Sequence, residues 1–186
     1  MRRPTPEYST RSIKYVDNDL QLSKYLKVED FIKSETAERN KINNRLPENL
    51  LPNAKKIAEM YDRIYERFNG NIVLNSAYRC PALNTKVKGS STSQHVFALA
   101  IDVRGKNGVK NADILNWVRT NMQYQQLIWE YGTSKEPRWV HIGYGTRMQF
   151  LKRSMQIIIY YLLLIIHIVK KRIFQGSKKR PQCEKI

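Results

Sequence analysis

The sequence predicts an α+β domain: a small, mainly antiparallel sheet with packed helices, followed by an apolar C-terminal segment. Three observations point there. Residues 47–70 place apolar side chains at three- and four-residue spacing, as a helix does. Several short runs rich in β-branched and aromatic residues are bounded by turn formers. The helical and extended runs alternate without the β-α-β regularity that builds a parallel sheet.

In chain order, residues 1–21 are polar and proline-containing and read as a weakly ordered arm. Val28, Phe31 and Ile32 then have helical spacing, and Ser34 ahead of "ETAER" reads as the cap of a second helix. The long helix follows, with Leu50, Ala54, Ile57, Ala58, Tyr61, Ile64, Tyr65 and Phe68 as its apolar stripe. Asn69-Gly70 supplies the left-handed residues that end it. "NIVLNSAY" reads as a strand. "RCPALNTKVKGSSTSQH" reads as a long loop with one helical turn, and "VFALAIDV" as a buried strand. Residues 107–121 read as a helix that turns Ile114, Leu115 and Val118 inward. "QQLIWEYG" and "RWVHIGYG" form a hairpin across "TSKEP". The domain spans residues 22–152.

Residues 153–186 differ in character. They carry eight Lys or Arg and one Glu, so about +7 of the net +17 lies in this tail. Residues 157–169, "IIIYYLLLIIHIV", are apolar and flanked by basic pairs. Thirteen helical residues reach about 20 Å, short of the roughly 30 Å of a bilayer interior. A marginal or interfacial anchor on an anionic membrane surface and a terminal element packed on the domain both remain open. The charge favours polyanions: nucleic acid, anionic lipid or acidic wall polymers. No nucleic-acid reading motif accompanies it, so no specific nucleic-acid partner is expected. The N-terminus lacks the apolar core of a secretory signal. Cys80 and Cys183 are far apart and form no CxxC pattern, so neither a disulfide framework nor a thiolate metal site is expected. Any metal must be held by histidine and carboxylate. The chain is expected to be a monomer.

"SSTSQHVFALAIDV" places His95 and Asp102 seven residues apart, and "PRWVHIGYG" adds His141 downstream. Two imidazoles and one carboxylate suit a catalytic zinc ion, which keeps a position open for water. The chain's other histidine, His167, lies inside the apolar tail.

The series "SAYRCPALN…VKGSSTSQH…ALAID…LIWEYG…RWVHIGY" resembles the M15 family of zinc peptidases, and within it the D-Ala-D-Ala carboxypeptidase-like branch found among phage endolysins. The likeness runs over about residues 22–152. It implies Zn2+ held by His95, Asp102 and His141, and peptidoglycan stem peptides as substrate. It implies that Arg79 binds substrate or stabilises an oxyanion, and that Ser93 and Gln94 lie in the loop that positions the first ligand and meets substrate. For the general base the resemblance leaves two candidates, Glu130 and Glu136, of which Glu130 is preferred. Some relatives carry an acid three positions before the last histidine, where this chain has Arg138. A second departure is Ala98, where the family pattern has glycine; the ligands stay in place, so activity is expected to survive. The implied setting is phage lysis or wall remodelling, with a non-catalytic wall-binding or membrane-tethered module as the alternative.

Overall fold

The computed structural model describes residues 12–153. The apolar tail, its proposed anchor role and residues 1–11 lie outside the described residues. Residues 12–21 pack on the domain: Val16 is buried and its N–H donates to the Leu46 carbonyl.

Among the described residues, five α-helices and five strands follow in order. Helix α1 (Val28–Ile32) buries Val28 and Phe31. Helix α2 (Glu35–Arg39) starts at Ser34, whose hydroxyl accepts the Ala37 N–H as the sequence predicts. A 3-10 turn, Glu48–Leu50, leads into the long helix α3 (Leu51–Arg67). Its stripe buries Ala54, Ile57, Ala58, Tyr61 and Ile64, together with Met60. Asn69 and Gly70 have φ of 50° and 74°, and the Gly70 N–H closes on the Tyr65 carbonyl, ending the helix as predicted.

Strand β1 (Ile72–Ser76), helix α4 (Pro81–Lys86), strand β2 (Ala100–Gly105), helix α5 (Asn111–Asn121) and strands β3 (Gln126–Glu130), β4 (Trp139–Gly143) and β5 (Gln149–Arg153) complete the domain. The sheet order is β1-β2-β4-β3-β5. All neighbours are antiparallel except β3 and β5, which run parallel. The sheet is therefore mixed, with the predicted hairpin β3–β4 at its centre.

Two details differ from the sequence reading. The apolar run "VFALAIDV" is not one strand: Gln94–Phe97 form a 3-10 turn, Ala98 is left-handed, and β2 begins only at Ala100. Strand β5 was not expected at all.

Alternation gives the sheet two unlike faces. Ile101 and Val103 of β2, Leu127 and Trp129 of β3, and Val140 and Ile142 of β4 are buried in one core with residues of α3 and α5. The opposite face carries Asp102, His141 and Ile128, which lie side by side across β2, β4 and β3. Chemistry is confined to this second face because the first is filled with hydrocarbon.

Candidate metal centre

Strand pairing builds half of the site. Asp102 and His141 are direct cross-strand partners, so their side chains leave the same face at adjacent positions. The remaining half is a loop. His95 sits in the 3-10 turn, 1% exposed, and is fixed from behind by backbone. Its Nδ1 lies 2.6 Å from the Ala77 carbonyl, and its own carbonyl accepts the Arg79 N–H at 3.1 Å. The segment after β1 that supplies both contacts is itself held by buried Asn44, whose Nδ2 donates to the Ile32 and Tyr78 carbonyls and whose Oδ1 accepts the Cys80 N–H at 2.7 Å.

The three side chains converge. His141 Nδ1 is 2.9 Å from Asp102 Oδ1, His95 Nε2 is 3.3 Å from Asp102 Oδ2, and the two ring nitrogens are 3.1 Å apart. A tetrahedral ion with bonds near 2.1 Å sets its donors roughly 3.4 Å apart. The observed spacings are all shorter than that, by no more than about half an ångström. The protonation pattern points the same way. A carbonyl only accepts, so His95 Nδ1 must carry hydrogen to reach Ala77. Burial pushes the His95 pKa down and favours the neutral ring. Its Nε2 therefore presents a lone pair towards a carboxylate oxygen. Burial opposes the charge on Asp102, but the two neighbouring imidazoles outweigh it and hold the carboxyl well below the usual range, so it stays a carboxylate. Acceptor facing acceptor is unfavourable unless a cation lies between them, and an N,N,O donor set suits zinc. The Ala77 carbonyl behind His95 is the outer partner that orients such a ligand.

The sequence-predicted residues are placed as follows. Arg79, Ser93, Gln94 and Glu130 line one cleft of about 460 Å3 with the three ligands. Glu130 lies two residues past Ile128 on the site face of β3 and is 6% exposed. The Arg79 guanidinium is partly buried beside Asp102 and Glu130; burial lowers its pKa and the two carboxylates oppose that. Its Nε is buried and has no hydrogen-bond partner among the described residues. Ser93 carries the turn, its N–H donating to the Ser90 carbonyl. The Gln94 side chain reaches away from His95: Nε2 donates to Gln125 Oε1 at 2.8 Å and to the Tyr144 carbonyl at 3.2 Å.

Glu136 is not brought to the cleft. Its Oε1 accepts the Asn111 N–H at 2.6 Å, at the first residue of α5. A carboxylate there satisfies an orphan helix donor and complements the helix dipole.

Trp139 and Tyr131, to which the sequence reading gave no site role, form an aromatic wall of the cleft, with ring centroids 5.3 Å apart. The signal for Trp139 was available: it is two residues before His141 on a strand and so shares its face. Asn84 was also missed. It is buried and holds the lip of the cleft through Nδ2 to the Ser90 carbonyl and its own carbonyl to the Gly89 N–H. Nothing in the local pattern announces it.

Ala98 carries φ 55° and ψ 34°, and its methyl is fully buried. The next residues lock the turn: the Leu99 N–H donates to the Gln94 carbonyl and the Tyr144 N–H to the Leu99 carbonyl. Alanine is thus accommodated at the position where the family pattern has glycine, and the ligands still converge.

No curated protein matches the chain. A family model described as Peptidase M15 matches residues 24–143, a span that contains every ligand, Arg79 and Glu130. With that match and the His-Asp-His cluster, the chain belongs to the peptidase M15 family, the zinc-dependent metallopeptidases.

Proposed function

We propose that this protein is a zinc-dependent peptidoglycan peptidase that hydrolyses stem-peptide bonds at or near D-Ala, as carboxypeptidase or endopeptidase, during phage lysis or wall remodelling. One observation carries the reading: His95, Asp102 and His141 converge in a cleft that also holds an acid, Glu130, and a partly buried cation, Arg79. That combination favours an enzyme over a binding module on the same fold.

His95, Asp102 and His141 would hold the ion. Zinc supplies Lewis acidity there, acidifying water and polarising a carbonyl. Glu130 takes a proton from the attacking water and returns it to the leaving amine, the work of a buried carboxylate close to the reacting atoms. Arg79 places positive charge where a substrate carboxylate or a developing oxyanion would lie. Ser93 and Gln94 keep the His95 turn in position at the cleft wall. The net charge of +17 concentrates the protein on an anionic wall.

The test is mass spectrometry of muropeptides released from purified peptidoglycan, with and without chelator. Products that vanish on chelation and return with zinc are expected. His95→Ala and His141→Ala should lose both zinc and turnover, whereas Glu130→Ala should keep zinc and lose turnover. Full hydrolysis by either histidine variant would falsify the metal assignment; full turnover by Glu130→Ala would remove the base.

A further inference from the structure

A second cleft opens beside the metal centre. Its volume is about 850 Å3, and it shares Arg79 and Asp102 with the first. Asp102, one of the three ligands, thus stands where the two clefts meet. The walls of the second cleft carry Lys33, Arg39, Arg104 and Lys106 against the acids Asp30 and Glu35. Asp30 is turned to the start of α1, where it accepts the Lys27 N–H at 3.4 Å. All four cations are exposed. Lys33, Arg39 and Lys106 form no ion pair among the described residues, and Arg104 donates through Nε to Asn75 Oδ1 at 3.0 Å. Cations gathered on a concave surface draw in anions.

Their placement selects the kind of anion. Arg104 lies two residues after Asp102 on β2, so both side chains leave the same face. Two strand residues span about 7 Å. Lys106 continues the line just beyond the strand end. An extended peptide advances about 3.3–3.6 Å per residue. A carboxylate two to four residues from a bond held over the metal centre therefore comes level with Arg104 and Lys106.

We propose that the second cleft is an anion-binding limb of the substrate groove. It takes an extended acidic peptide, with a carboxylate two to four residues from the scissile bond. This rests on the peptidase reading above and deepens it.

The test uses two synthetic stem pentapeptides, L-Ala-γ-D-Glu-L-Lys-D-Ala-D-Ala, identical except that the D-Glu α-carboxylate is free in one and a carboxamide in the other. Binding is measured by calorimetry on the zinc-loaded full chain carrying Glu130→Gln, so that turnover does not consume the peptide. The comparison is the same chain with Arg39→Gln, Arg104→Gln and Lys106→Gln added; all three side chains are exposed, so the core is untouched. The free acid is expected to bind about tenfold tighter than the amide, as charge-assisted hydrogen bonds allow, and the triple variant to lose that preference. An equal preference in both chains, or none in either, overturns the proposal. Hydrolysis of both peptides is followed separately with Glu130 restored. Cation-dependent binding without hydrolysis keeps the second cleft and removes the peptidase reading; hydrolysis without any acid preference does the reverse.

Discussion

Ala98 shows how evenly matched local effects can be. Its left-handed backbone costs a non-glycine residue about 1–2 kcal/mol. Against this stand about 0.8 kcal/mol for burying its methyl and about 0.5–1 kcal/mol of backbone entropy that glycine would lose on folding. These nearly cancel. Ala98→Gly should therefore unfold in urea within about 1 kcal/mol of the parent chain and keep its zinc. Ala98→Val adds a β-branch to a left-handed residue in a filled site and should cost more than about 3 kcal/mol. A loss beyond 2 kcal/mol in the glycine variant would mean that packing outweighs the strain, contrary to this balance.

Among the elements, the 3-10 turn and the end of β4 depend on each other. A Cβ at Gly143 would collide with the Gln94 side-chain amide, so a larger residue here pushes that amide out of its place against β4. Gly143→Ala should displace Gln94, break its bonds to Gln125 and Tyr144, and lower zinc affinity about tenfold, the usual effect of disturbing a ligand's support. Gln94→Ala should weaken binding by a similar factor, and the double variant should be no worse than Gly143→Ala alone. A chromophoric chelator competition reads this cycle, and strictly additive losses would sink the coupling. Helix α3, the Ser34 cap and the β3–β4 hairpin were legible in the sequence because periodicity and caps are local signals. The ligand set was legible because few side chains can hold zinc. Strand β5 was not, because "QFLKR" has exposed Phe150 and Leu151 and pairs only at the sheet edge, where burial leaves little pattern. The start of β2 was hidden because a short apolar run does not distinguish a strand from a tight turn. Glu136 stood as the second candidate because it lies five residues before His141, yet hairpin geometry carries it to α5.

On the scale of the whole molecule, two phenols couple the fold to pH. Burial, helped by Tyr65, Asp30 and Asp62, pushes Tyr61 up to about 12; burial, helped by Cys80 and Tyr15, does the same for Tyr78. Both side chains are protonated in the folded state to higher pH than in the unfolded chain, whose phenols titrate near 10. Their contribution is complete below pH 10 and is lost as pH rises from there through 12. Alkaline unfolding followed by circular dichroism should begin above pH 10, and Tyr61→Phe should blunt it. An unchanged profile in that variant would remove Tyr61 from the transition. The pairing of Asp102 with His141 has a last consequence. Side chains change faces at every residue, so sliding β4 by one position would drive that imidazole into the oily layer beneath the helices. Zinc affinity is therefore a gauge of strand alignment: only a correctly threaded sheet offers the ion its full grip, and a misaligned one forfeits the stabilisation that bound metal confers.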